Sequence, residues 1–151
     1  MKKHWDEKFM ETAALVSTWS KDPSKKIGAV AVDDNRRILS TGYNGFPRGI
    51  DDSPERYNDR EIKYAYVVHA EMNAIYNATY NGVCLENSTL YVYGLPVCSE
   101  CAKGIIQSGV KKVIMDCGGD IPERWIESWN KTKGMFDEAG VEYEFANKGV
   151  Q

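Results

Sequence analysis

The sequence predicts an α/β protein, a three-layer αβα sandwich around a central mixed five-stranded sheet. Two observations carry this. In the second half, short β-branched and aromatic runs alternate with helical patterns, as in βαβ units. In the first half, one amphipathic helix precedes a pair of strand candidates joined by a polar turn.

From Trp5 to Trp19 the apolar residues Trp5, Phe9, Ala13, Val16 and Trp19 recur at helical spacing, and Lys21-Asp22-Pro23 ends the run. Strands are expected over 27–32 and 38–43, antiparallel through Asp33-Asp34-Asn35. Residues 44–63 carry Gly45, Pro47, Gly49 and Pro54 among charges and read as a long irregular loop; that length in a small domain suits a wall of an active site. A helix follows over 69–80, with Met72, Ile75, Tyr76 and Thr79 on one side and Asn81-Gly82 as its stop. Strand 89–93, helix 99–107 and strand 112–115 form a βαβ unit with parallel pairing. Pro122 opens a helix that Gly140 closes, and residues 141–145 alternate as a last strand. The predicted order is αββαβαβαβ.

The chain has 151 residues, the size of one domain spanning 1–151, with a net charge of −3 and no low-complexity tract. Its first residues mix charges with Trp5 and Phe9 rather than forming an apolar signal segment, and no stretch has transmembrane length, so no membrane association is expected. The acidic balance disfavours a nucleic-acid partner, which requires a basic surface. Cys84, Cys98, Cys101 and Cys117 without a secretory signal point to the reducing cytoplasm, and so to metal ligands or buried thiols rather than disulfides. Cys84 and Cys117 stand alone and read as packing residues.

The chemistry concentrates at His69-Ala70-Glu71 and Cys98-Ser99-Glu100-Cys101, each at the start of a predicted helix. One imidazole and two thiolates make three Zn2+ ligands, His69, Cys98 and Cys101, and three protein ligands leave a fourth position for water, as in catalytic sites. Distant Cys84, Cys117 or His4 would be needed to close a structural site. The positive end of each helix dipole favours thiolate over thiol. Two thiolates also offset the zinc charge, so the bound water is less acidified and needs a base. Glu71, two residues beyond His69, suits that role.

This pattern resembles the zinc-dependent cytidine and deoxycytidylate deaminases along nearly the whole chain. Three segments, residues 20–29 (Ser20-Lys21-Asp22-Pro23-Ser24 onward), 41–49 (Thr41-Gly42-Tyr43-Asn44-Gly45-Phe46-Pro47-Arg48-Gly49) and 66–75 (Tyr66 to Ile75), are similar to the deoxycytidylate deaminases, which also occur in phages. One departure is Val97 between Pro96 and Cys98, where the family pattern puts proline directly before the first cysteine. The resemblance implies a cytidine deaminase-like fold and deamination of dCMP to dUMP for thymidylate synthesis, with one catalytic zinc per subunit. It also implies Asn44 near the sugar, the Ala70 backbone N–H facing the pyrimidine carbonyl, and the Ser24–Lys26 loop near the phosphate.

As candidate substrate contacts, Ser24, Lys25, Lys26 and Arg48 offer a hydroxyl and cations to a 5′-phosphate; ordinary solvated charge is the competing account. Tyr43 and Tyr66 are open between base contact and core packing, and Asn44 between sugar contact and an Asn-Gly turn. The resemblance further implies an effector site on Gly42, Tyr43, Asn44 and Gly45, with dCTP activating and dTTP inhibiting, Mg2+ accompanying the triphosphate, and a homo-oligomer, a hexamer in the family. Trp125, Ile126 and Trp129 read as a helix face packed on the sheet, with a subunit contact as the other account. The alternatives in chemistry are a deaminase of dCTP, cytidine, tRNA or single-stranded nucleic acid, and a zinc-stabilised binding module, which has no need of Glu71.

Overall fold

A computed structural model describes residues 2–146, so the outer limits of the expected domain, 1 and 147–151, lie outside the described residues. The elements are α1 (Lys2–Ser17), β1 (Gly28–Val32), β2 (Ile38–Tyr43), α2 (Pro54–Asn58), α3 (Arg60–Tyr66), α4 (Ala70–Tyr80), β3 (Thr89–Tyr93), α5 (Ser99–Gln107), β4 (Lys112–Asp116), α6 (Glu123–Ala139) and β5 (Glu142–Phe145). The sheet order is β2-β1-β3-β4-β5. β1 pairs antiparallel with β2 and β3, while β3, β4 and β5 run parallel, giving the mixed five-stranded sheet.

Strand periodicity builds the three layers, because successive side chains point to opposite faces. Ala29, Ala31, Leu90, Val92, Val113 and Met115 face one side, packed with α4, α5 and α6 around Ala74, Ile105 and Phe136. Val30, Val32, Tyr91 and Ile114 face the other, packed on Phe9, Met10, Ala13 and Val16 of α1. The predicted stripe of α1 therefore holds except at its end: Trp19 lies beyond Ser17 and is 56% exposed, edge-on to Tyr43.

Two further expectations are corrected. The region expected as loop 44–63 contains α2 and most of α3; Pro54 stands at the first turn of α2, and Asp59 caps α3 by accepting the Glu61 and Ile62 N–H groups. On α4 the fully buried face is Ala70, Glu71, Ala74 and Ala78, not the Met72, Ile75, Tyr76, Thr79 side: Tyr76 and Thr79 are exposed, and Met72 and Ile75 pack only partly. Small residues face inward because β2 runs almost against the helix backbone. A Cβ on Gly42 would meet Ala74 N and Ala70 O, so only glycine fits there. Asn73 and Asn77 reinforce the contact, donating to the Tyr43 and Thr41 carbonyls, both at 2.7 Å, along the free edge of β2. α6 ends at Gly140 in the left-handed conformation (φ 82°).

Candidate active site and metal centre

The starts of α4 and α5 meet. His69 is the N-cap of α4 and Cys98 the N-cap of α5, its sulfur accepting the Cys101 N–H at 3.4 Å. His69 Nδ1 lies 3.2 Å from Cys101 Sγ and 3.4 Å from Cys98 Sγ, and one donor atom from each of the three residues lies within 4.8 Å of the others. Tetrahedral zinc bonded to one nitrogen and two sulfurs has ligand–ligand edges of about 3.6 Å, so the donor set and its spacing fit that ion. Among the described residues this is the one such group of His, Cys, Asp and Glu side chains. Neither Cys84 nor Cys117 belongs to it, and Cys84 is exposed rather than packed as expected.

The electrostatics agree with metal binding. Hydrogen bonding from Cys101 holds the Cys98 thiol down at about 4, helped by His69, whereas Cys101, bonded to Cys98, is pushed well up. His69 is raised to about 9, chiefly through its bond to Cys98. The three groups thus crowd ionisable atoms around a point that a divalent cation would occupy with His69 neutral and both thiols ionised. Val97, inserted before Cys98, is fully buried, and its carbonyl accepts the Thr132 hydroxyl at 2.9 Å. The extra residue is thereby tied to α6 and leaves the ligands convergent.

Glu71 is 4% exposed, and burial raises its carboxyl to about 7. It lines the same cleft of about 170 Å³ as His69, Ala70 and Cys98, together with Ser24, Lys25, Ile27, Asn44, Leu95 and Pro96. Ala70 is the first residue of α4, where a backbone N–H has no partner within the helix. Asn44 is buried against the loop before β1: its Oδ1 accepts the Ile27 N–H at 2.9 Å, and its Nδ2 donates to Lys25 O at 2.9 Å and Asp22 Oδ2 at 3.3 Å.

Three expected substrate contacts lie elsewhere. Lys26 folds back, its Nζ donating to Ser20 O at 2.6 Å and Asp22 O at 3.3 Å. Arg48 donates to Asn77 Oδ1 and stacks over Tyr80, outside the cleft. Tyr66 packs edge-on to Phe46 beneath Arg56, and neither the core nor the cleft receives it. In their place the cleft takes Arg60, Lys63, Tyr64 and Val67 from the α3 region and Arg124 and Trp125 from the start of α6. Arg60 stacks over Tyr64 and Arg124 over Trp125, so two cation–aromatic pairs line the cleft. No sequence signal marks either pair, since which face of a helix an Arg and its aromatic neighbour take is set by tertiary packing. Trp129 is buried on the sheet side as expected, Ile126 is half-exposed, and Trp125 serves the cleft.

A separate groove of about 540 Å³ is lined by Gly42, Tyr43, Asn44 and Gly45 with Trp19, Lys21 and Arg48. Asn44 borders both depressions. No helix among the described residues is long and apolar enough to cross a membrane.

Comparison with known proteins agrees with this geometry. Residues 3–117 match the family model of the cytidine and deoxycytidylate deaminase zinc-binding region. An uncharacterized deaminase encoded in the luxG 3′ region of Aliivibrio fischeri is 43% identical over 139 residues, 91% of this chain and 90% of its own. The human deoxycytidylate deaminase is 39% identical over 146 residues, 92% of this chain and 78% of its own. The structure of the dCMP deaminase of cyanophage S-TIM5 in complex with dCMP and dUMP superposes with a TM-score of 0.73 at 28% identity, covering 96% and 98% of the two chains. With its histidine and cysteine pair converging as a zinc site and its sequence matched from residue 3 to 117, the chain belongs to the cytidine and deoxycytidylate deaminase zinc-binding family.

Proposed function

We propose that the protein hydrolyses dCMP to dUMP and ammonia. The observation that carries this is the junction, in one cleft, of a three-ligand zinc site, a buried carboxylate beside it, and a cationic wall of Lys25, Arg60 and Arg124 in an otherwise acidic protein. Relatives matched over most of this chain act on the same nucleotide by name, the human protein among them.

His69, Cys98 and Cys101 would hold the zinc ion, which would supply Lewis-acid activation of a water. Every other part belongs to the chain. Glu71 takes one proton of the water that attacks C4 and gives it to N3, then takes the second from the resulting C4 hydroxyl and gives it to the departing amino group, so that the C4–N4 bond breaks, ammonia leaves and the pyrimidine carbonyl forms. Burial raises the Glu71 carboxyl above the usual carboxylate range, which favours the protonated form from which it gives a proton back. The Ala70 N–H faces the carbonyl of the base, and Asn44 borders the sugar. Ser24 and Lys25, with Arg60 and Arg124, meet the 5′-phosphate in place of Lys26 and Arg48.

The groove at Gly42–Gly45 is assigned to a triphosphate effector with its Mg2+, dCTP activating and dTTP inhibiting, in a hexamer acting in the cytoplasm. Its support is the resemblance together with Asn44, which borders groove and cleft alike.

The test is product formation by zinc-loaded protein on dCMP, deoxycytidine, cytidine, dCTP and a single-stranded oligonucleotide, each with and without dCTP or dTTP added as effector. Preference for dCMP supports the substrate assignment. Turnover of another member of the panel in its place overturns it, and a dCMP rate indifferent to both triphosphates removes the regulatory assignment.

A further inference from the structure

The loop before β1 is held by one buried carboxylate. Asp22 is 4% exposed; its Oδ1 accepts the Ser24 N–H at 2.8 Å and the Lys25 N–H at 3.4 Å, and its Oδ2 accepts Asn44 Nδ2 at 3.3 Å. The remaining partner comes from far along the chain: Lys63 of α3 donates to Asp22 Oδ1 at 2.9 Å, with side chains only 13% and 5% exposed. Ser20 completes the arrangement, accepting the Asp22 N–H on Oγ and donating that hydroxyl to the Asn44 carbonyl.

A buried ion pair is poor evidence of net stabilisation, because desolvating two charges offsets much of their attraction. A lysine whose ammonium is already committed to a carboxylate is also badly placed to hold a phosphate. What this pair does is geometric. It ties the Ser24–Lys25 segment to the helix that carries Arg60 and Tyr64, and both line the cleft.

We propose that Asp22 and Lys63 are a positioning pair that sets the width of the nucleotide-binding half of the cleft, and so governs substrate affinity, without touching the reacting atoms. The inference rests on the dCMP assignment above. In it Lys63 orients rather than neutralises: its charge is spent on Asp22, and the span between Ser24 and Arg60 follows from that bond. Recognition then depends on two walls being at a fixed separation, and their separation depends on one bond across 41 residues of sequence.

The experiment uses the full-length zinc-loaded protein. Lys63→Met should raise KM for dCMP on the order of tenfold while kcat stays within about threefold, the pattern of lost ground-state and transition-state binding alike. Lys63→Arg, which keeps the charge and a donor, should restore most of the affinity. Peptide-level hydrogen exchange over residues 20–27 should quicken in Lys63→Met and not in Lys63→Arg. If the Met variant does not fold, Lys63→Gln, whose amide falls one atom short, takes its place with the same measurements. A folded, zinc-replete variant with a lower Tm but an unchanged KM overturns the proposal, since a purely structural role would give that result. Should the wild type turn over no nucleotide, the substrate assignment fails on its own; unchanged exchange in the 20–27 loop would then overturn the positioning role, and faster exchange would sustain it.

Discussion

Arg48 shows how far a residue's identity can mislead. Its charge, beside a motif similar to that of the deoxycytidylate deaminases, suggests a phosphate contact, yet its guanidinium is held by Asn77 and lies over Tyr80. Arg48→Ala should therefore change the ratio of kcat/KM for dCMP over deoxycytidine by less than about threefold, under roughly 0.7 kcal/mol. A selective loss of dCMP use would return Arg48 to the phosphate. The convergence of His69, Cys98 and Cys101, by contrast, could be anticipated residue by residue, because metal ligation demands particular atoms at particular spacing. Long cations such as Lys26 and Arg48 carry no such demand, and their partners are decided by tertiary contacts that a linear sequence does not display.

At the scale of elements, all five strands and the four long helices could be read from periodicity and caps, to within a few residues at the ends. The misses have a common cause. α2 and α3 are short, five and seven residues, and too brief for helical periodicity to stand out among charges. The buried face of α4 was misassigned because its core side is alanine, chosen by the closeness of β2 rather than by hydrophobicity. That closeness can be tested. Gly42→Ala forces a methyl into the α4 backbone, and it should destabilise the protein by about 1–3 kcal/mol in denaturant unfolding, as overpacking does. It should also lower activity, because the displaced helix carries His69 and Glu71. Wild-type stability in that variant would mean that strand and helix are less tightly apposed than described.

For the molecule as a whole, the α/β class followed from the alternation of strands and helices, whereas the sheet order β2-β1-β3-β4-β5 rests on pairings distant in sequence. The core, packed on both sheet faces, is built from apolar side chains away from the metal ligands, apart from the partly or fully buried Cys98 and Cys101 at its rim. Removing zinc with a chelator should therefore abolish turnover while leaving far-UV circular dichroism nearly unchanged, and added zinc should restore the rate. Unfolding on chelation would make the ion structural, as in proteins whose cores are too small to stand alone.

Proton transfer by Glu71 beside a zinc ion held by His69, Cys98 and Cys101 is tested by comparing wild type with Glu71→Gln for zinc content and dUMP formation from dCMP. One zinc per chain is expected in both, with a loss of kcat in the variant of about 10²–10⁴-fold. A fully zinc-loaded Glu71→Gln protein that makes dUMP at the wild-type rate would contradict it.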